Sequence, residues 1–133
     1  MLLHFDDERD YAARLATAAG LTLAPIERHR FPDGELKLRL PTPVAPRAVL
    51  LRSLHRPNEK LVELLLAARA ARELGARHLT LVAPYLAYMR QDAAFAPGEA
   101  VSQRIIGRWL ADLFDAVTTI DPHLHRVGAL DEA

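Results

Sequence analysis

Half of the 133 residues are apolar, enough for one domain with a real core, and this excludes a disordered chain. Seventeen Lys and Arg cancel seventeen Asp and Glu, which removes a broad electrostatic grip on nucleic acid but leaves room for a local phosphate site. The lack of cysteine excludes disulfides, thiol nucleophiles and cysteine-based zinc sites together.

The beginning, Met1 to Phe5, turns acidic at once with Asp6-Asp7-Glu8 and is no signal peptide; no apolar run approaches membrane-spanning length. The expectation is a soluble, cytoplasmic domain with no nucleic-acid or membrane partner. Leu2–Phe5 reads as a first strand. Asp6 or Asp7 is placed to cap a helix carrying an inward stripe of Tyr11, Leu15, Ala18 and Ala19, with Gly20 as its stop. Leu21–Ile26 is β-like and broken by Pro25. His29–Phe31 and Leu36–Leu40 flank Pro32-Asp33-Gly34-Glu35, and the alternation of Leu36, Leu38 and Leu40 with Lys37 and Arg39 is that of a strand with one wet face. A hairpin with its turn at 31–35 follows. Three prolines keep 41–46 irregular.

Ala48–Ser53 reads as a buried strand. Asn58 is placed to cap a long helix whose inner face is Leu61, Leu64, Leu65, Ala68 and Ala71, with Gly75 ending it. Leu79–Val82 is the next strand, so the unit is βαβ. Residues 84–101 have no period. Ser102 opens a helix with Ile105, Ile106, Trp109, Leu110 and Leu113 along one side, and Ala116–Ile120 closes the pattern as a β-branched strand. Alternating strands and helices give an α/β fold, a three-layer, mostly parallel twisted sheet with helices on both faces.

Three polar clusters fall at expected strand edges, where open α/β sheets bind ligands. Arg90, Gln91 and Asp92 suit phosphate, base, and metal or ribose groups, although a solvated loop explains a polar triplet as well. Phe31, Asp33 and Glu35 offer an aromatic plane for a base and carboxylates for its exocyclic protons, while a plain turn accounts for Pro32, Asp33 and Gly34. Asp121, His123 and His125 follow the last strand and could bind a divalent ion or stabilise a turn. His4, His29, His55 and His78 read as structural or surface groups without partners. The glycine-rich loops of P-loop and Rossmann proteins are absent, so any ATP site is built differently.

Four stretches in order, Phe31-Pro32-Asp33-Gly34-Glu35, Pro84-Tyr85-Leu86-Ala87-Tyr88-Met89-Arg90-Gln91-Asp92, Gly98-Glu99-Ala100-Val101-Ser102 and Asp121-Pro122-His123, make the chain resemble the N-terminal half of the ribose-phosphate diphosphokinases (phosphoribosyl-pyrophosphate synthases). The resemblance implies diphosphate transfer from Mg-ATP to ribose 5-phosphate, giving phosphoribosyl pyrophosphate and AMP. It assigns Phe31, Asp33 and Glu35 to the adenine pocket, Arg90 and Gln91 to ATP with Asp92 beside them, and His123 to the magnesium. Arg90 and His123 are the residues it brings nearest the transfer. It also implies a homodimer or higher homo-oligomer, with the adenine pocket completed across a subunit interface. Tyr85, Leu86, Tyr88, Met89, Phe95 and Trp109 are the large apolar groups expected there, Trp109 also fitting the chain's own core.

Two departures from the family pattern stand out. Ala93-Ala94-Phe95-Ala96-Pro97 replaces the basic residues that follow the Arg-Gln-Asp triplet in many members. The expected organisation is also one ATP-side domain over 1–133, without the C-terminal domain that binds ribose 5-phosphate. The parent protein is then an enzyme and this piece inactive alone. The rival is a non-catalytic, nucleotide-sensing or associated subunit with the same fold.

Overall fold

Leu2–His4 (β1) and Arg47–Leu51 (β5) pair in parallel at the centre of the sheet, in register Leu2 with Val49 and Leu3 with Leu50. The computed structural model describes residues 1–120 and Pro122. Leu23–Pro25 (β2) adds to the outer edge of β1, while His78–Ala83 (β6) and then Ala116–Thr119 (β7) extend the sheet from β5. All four pairings are parallel, and the order is β2-β1-β5-β6-β7.

Because side chains alternate across a strand, the register sorts the core into two layers. Leu3, Leu50 and Leu81 point to one face, where they meet Leu64, Ala67, Ala68 and Ala71 of Pro57–Glu73 (α2) and Leu110 and Leu113 of Ser102–Leu113 (α3). Leu2, Val49, Leu51 and Val82 point to the other, against Ala12 and Leu15 of Arg9–Ala19 (α1). The expected three-layer α/β architecture is therefore present. Gly75 follows α2 at φ 121°, and a Cβ there would lie 3.1 Å from the Val44 carbonyl oxygen, so glycine is needed on both counts.

The inner faces differ from expectation in all three helices; in α3, Ile105 is exposed while Leu110 and Leu113 are buried and Ile106 and Trp109 half-buried. In α1 the inward stripe is Ala12 and Ala16, four residues apart, with Leu15 half-buried beside them, while Tyr11, Ala18 and Ala19 of the expected stripe are exposed. In α2, Leu65 is exposed and Lys60 and Glu63 are buried in addition to Leu64, Ala68 and Ala71. The capping expectations for α1 and α2 fail, whereas α3 opens at Ser102 as expected. Asp6–Glu8 form a 3-10 turn without a side-chain cap, and α2 begins after a left-handed Arg56 with Pro57 in its first turn. Pro57 needs no N–H partner, which removes part of the demand for a cap.

Glu27–Arg30 (β3) and Leu36–Arg39 (β4) form the expected hairpin as a separate two-stranded sheet. Its registers, Arg28 with Leu38 and Arg30 with Leu36, put these four residues on one face, and His29 with Lys37 on the other. Leu38 packs onto the main core. The hairpin lies against α2 by that face.

Candidate functional site

The hairpin turn is closed by the Phe31 N–H donating to Glu35 O (2.9 Å) and the Gly34 N–H donating to Phe31 O (2.9 Å). Gly34 takes φ 94°, a conformation that favours glycine, and Asp33 Oδ1 accepts the Glu35 N–H at 3.1 Å. Asp33 is thus half-committed to its own turn. The Phe31 ring is exposed, stands edge-on to His29 at 4.8 Å between centroids, and has Lys37 Nζ 5.9 Å from its centre. His29, expected to lack a partner, supports this aromatic plane.

Arg90, Gln91 and Asp92 lie in the connection between β6 and α3, beyond the carboxyl end of β6. Arg90 is exposed and makes no hydrogen bond or ion pair among the described residues. Gln91 Nε2 donates to Ala93 O at 2.9 Å and reaches Glu99 Oε2 at 3.4 Å, while Glu99 Oε2 also accepts the Phe95 N–H at 2.7 Å. Asp92 is buried. The Gln103 N–H donates to Gln91 O at 3.2 Å, so the amino end of α3 holds this loop from behind. The Gln103 side-chain amide is fully buried, with neither atom hydrogen-bonded among the described residues. Helix periodicity gave no sign of it, because Gln103 sits where a polar first turn is ordinary.

No hydrogen bond, ion pair or ring contact joins Phe31, Asp33 or Glu35 to Arg90 or Gln91 among the described residues. The two clusters are instead both tied to the first turn of α2. Glu59 pairs with Arg30 of the hairpin, and Asn58 accepts the Tyr88 hydroxyl from the loop. Leu54 N–H also donates to Tyr85 O at 2.8 Å. Tyr88 adopts φ 65°, a left-handed conformation that costs a non-glycine residue energy and persists only under outside constraint. Asp121, His123 and His125 lie outside the described residues. Among those that are described, no three His, Asp or Glu side chains cluster as a metal site.

Several expected interface residues belong to the core. Leu86 and Met89 are buried, and Tyr88 and Trp109 pack half-buried against them. Tyr85 and Phe95 remain exposed, joined by Val62, Leu65 and Leu66 of α2.

Beneath the site, the ends of β1 and β5 carry a charged network absent from the sequence reading. Arg52, 1 % exposed, binds Asp7 through two contacts (2.9 and 2.8 Å), Glu8 at 3.1 Å and Glu63 at 2.5 Å, with its guanidinium 4.6 Å from the Phe5 ring centre. The Glu63 contact is an ion pair rather than an aligned hydrogen bond. Glu8 also accepts the Ser53 N–H at 2.6 Å. Burial opposes ionisation of Asp7, but the Arg52 bond and charge, with Arg28 behind, hold its carboxyl below the usual range. Burial lowers the Lys60 ammonium, as does the nearby Arg52 charge; Lys60 donates to Ser53 O at 2.7 Å and lies 3.2 Å from a ring nitrogen of His55. The acidic residues after β1 serve these cations, which is why they do not cap α1.

The family model for the N-terminal domain of ribose phosphate pyrophosphokinase matches residues 1–115. The ribose-phosphate pyrophosphokinase of Methanopyrus kandleri is 42 % identical over 118 residues, covering 88 % of this chain and 40 % of that protein. The Halobacterium salinarum protein of the same name is 39 % identical over 124 residues, covering 92 % and 44 %. The chain thus spans about two-fifths of the length of these curated relatives. The crystal structure of phosphoribosylpyrophosphate synthetase from Mycobacterium smegmatis superposes with a TM-score of 0.86 over 99 % of this chain and 44 % of that one, at 24 % identity, a likeness of fold.

Proposed function

The chain belongs to the ribose phosphate pyrophosphokinase family, matching the family's N-terminal domain, and from that premise we propose that it is the ATP-side domain, over 1–133, of a ribose-phosphate diphosphokinase. The reaction is attack of the anomeric hydroxyl of ribose 5-phosphate on the β-phosphorus of Mg-ATP, with AMP as leaving group and phosphoribosyl pyrophosphate as product. The ribose-phosphate side belongs to a C-terminal domain in the length of the relatives that this chain does not span. Both substrates are multiply charged, and the reaction is assigned to the cytoplasm, where they are held.

The observation that carries the reading is an exposed Phe31 on a turn fixed by its own backbone bonds, with an exposed Arg90 at the sheet edge that is unpaired among the described residues. Phe31 offers its plane to adenine, and Asp33 and Glu35 offer acceptors to the exocyclic amine. Arg90 clamps phosphate, and Gln91 orients it after exchanging its bonds to Ala93 and Glu99 for ligand bonds. Asp92 lies beside them on the metal or ribose side. None acts as a covalent nucleophile.

The residues present fit magnesium-triphosphate chemistry. Magnesium keeps several waters and leans on substrate phosphates, so it needs few protein ligands, and His123 is the residue proposed to meet it. When bound, the ion neutralises triphosphate charge. The buried, unbonded amide of Gln103 behind the Arg90–Asp92 loop adds polar capacity of the kind a phosphate shell uses. The pocket is proposed to be completed by a second copy in a homodimer or larger homo-oligomer.

A non-catalytic nucleotide-sensing subunit is the second reading, favoured by Ala93 and Ala94 beside Gln91, where no cation backs the triplet. Calorimetric titration of this chain with Mg-ATP, and assay for AMP and phosphoribosyl pyrophosphate with and without the C-terminal half of a relative, tests both. Binding with product only in the presence of that half supports the enzyme reading. Binding with no product in either case supports the sensing subunit, and no binding removes both.

A further inference from the structure

A two-stranded hairpin is only marginally stable alone in water, so the pose of the Phe31–Glu35 turn depends on what holds β3 and β4 against the rest of the chain. Leu38 packs on the core, and Leu36 is half-buried beside it. The rest of that face is ionic. Arg28 and Arg30 of β3 each bind a carboxylate of α2, Arg28 to Glu63 and Arg30 to Glu59. The two spacings match: two residues of antiparallel strand advance about 6.8 Å and four residues of helix about 6 Å. With β3 running against α2, the pairs stand as two rungs of one ladder. A shift of the hairpin by one residue would turn both arginines to the opposite face and break both rungs.

The lower rung is anchored to the sheet. Glu63 is fully buried and shared between Arg28 and Arg52, and Arg28 also lies 3.6 Å from Asp7 and 5.7 Å from the Phe5 ring centre. Arg52 in turn is gripped by Asp7 and Glu8 at the ends of β1 and β5. The upper rung adjoins Asn58, the residue that holds Tyr88 of the Arg90 loop. The first two turns of α2 therefore fix both clusters in one frame.

We propose that Glu59 and Glu63 are positioning residues for the nucleotide, setting the pose of the adenine-reading turn through Arg30 and Arg28 without touching the ligand. This rests on the assignment of Phe31, Asp33 and Glu35 to adenine given above. A fixed turn spares the cost of ordering it on binding, so loss of the ladder weakens affinity for ATP and leaves the main domain folded.

The exposed rung is the one to alter, since Arg30 and Glu59 are each about half exposed and their replacement leaves no buried charge unpaired. Glu63→Gln would remove a buried carboxylate shared by Arg28 and Arg52 and so confound folding with positioning. Amide hydrogen exchange of 27–39 and calorimetric titration with Mg-ATP are measured at one fixed protein concentration for the unaltered chain, Arg30→Glu, Glu59→Arg and the double reversal. Each single reversal should weaken Mg-ATP about three- to tenfold and speed hairpin exchange by a similar factor, with exchange of β5 and β6 unchanged. The double reversal should restore both to within about twofold, which a general structural defect would not do. Single variants indistinguishable from the unaltered chain, or a double variant no better than either single, overturn the proposal. Faster exchange with unchanged Mg-ATP affinity also overturns it, by separating hairpin docking from binding. If the unaltered chain binds no Mg-ATP at all, the positioning role falls together with the assigned function, while the exchange data still decide whether the rung docks the hairpin.

Discussion

Tyr88 donates its hydroxyl to Asn58 across the gap between the Arg90 loop and the start of α2, and it does so from a left-handed backbone conformation. Such a conformation in a non-glycine residue is held by its surroundings, here by this bond and by packing of the ring against the core. The bond therefore ties the direction of Arg90, two residues on, to the helix that also carries the hairpin.

Tyr88→Phe tests that tie. Removing the hydroxyl keeps the ring and its packing, so stability should fall by only about 1 kcal/mol, the usual net worth of one hydrogen bond. Hydrogen exchange in 86–92 should rise more than elsewhere, and Mg-ATP should bind more weakly. Urea unfolding and titration of the same sample separate the two effects. Unchanged exchange in the loop would show that packing alone holds it.

The hairpin, the βαβ unit and the parallel sheet were legible because each rests on a local period or a turn chemistry that a strand or helix imposes on its own sequence. Leu36, Leu38 and Leu40 alternate, and Pro32-Asp33-Gly34 bends the chain between them. What escaped depends on partners far apart in the chain. Arg28 and Glu63 are each unremarkable polar residues, and only the match of strand rise to helix rise pairs them. Asp7 looks like a helix-capping residue, and Glu8 like an ordinary acidic residue beside it, until Arg52, 45 and 44 positions on, is brought against them. The inner face of α1 escaped because it rests on two small residues, Ala12 and Ala16, among several alanines, so apolar size along the helix does not mark its phase. At the candidate site, the place of Gln91 beyond the end of β6 was legible, but its bonds to Ala93 and Glu99 were not, since they follow from how the 84–101 loop folds on itself.

Arg90→Ala, made in a full-length relative at the matching position and in this chain, should weaken the phosphate grip. Losing a guanidinium–phosphate contact in a closed site costs about 2–5 kcal/mol in transfer, while an exposed side chain with no partner among the described residues contributes little to folding. The expected result is a large loss of kcat/KM and of Mg-ATP affinity with a nearly unchanged Tm. Unchanged turnover and affinity would make Arg90 a surface residue.

Acid should destabilise the fold through Asp7 and Asp115. The Asp115 carboxyl is held below its ordinary value first by the Leu79 N–H at 2.6 Å and then by Arg72 at 2.8 Å; that of Asp7 is lowered by Arg52 and Arg28 against the effect of burial. Both carboxylates bind protons less readily folded than unfolded. Their contribution is thus fully present above the unfolded value, about 3.9, and is lost as pH falls through the lower folded values. Urea midpoints measured from pH 7 down to pH 2 should decline below about pH 4. Asp115→Asn should lower stability at pH 7 and flatten part of that decline; an unchanged slope would remove Asp115 from the account.

The last prediction concerns association. Tyr85 and Phe95 in the loop, and Val62, Leu65 and Leu66 along α2, keep large apolar groups at the surface, with Phe95 two-thirds exposed. Exposed aromatic and aliphatic residues suit the centre of an interface, and in a twofold pair the same residues serve both partners. The lack of a bonded contact between the two candidate clusters adds to this. Phe31, Asp33 and Glu35 make no bonded contact with Arg90 or Gln91 among the described residues, so a second copy is a natural way to bring one chain's turn to another's loop. Sedimentation across a wide concentration range should then show self-association, and Mg-ATP affinity should rise over the same range. Phe95→Asp and Val62→Asp, both at exposed positions, should weaken the two together while leaving the Tm of the monomer nearly unchanged. A chain that stays monomeric at every concentration yet binds Mg-ATP at undiminished strength would sink the shared pocket.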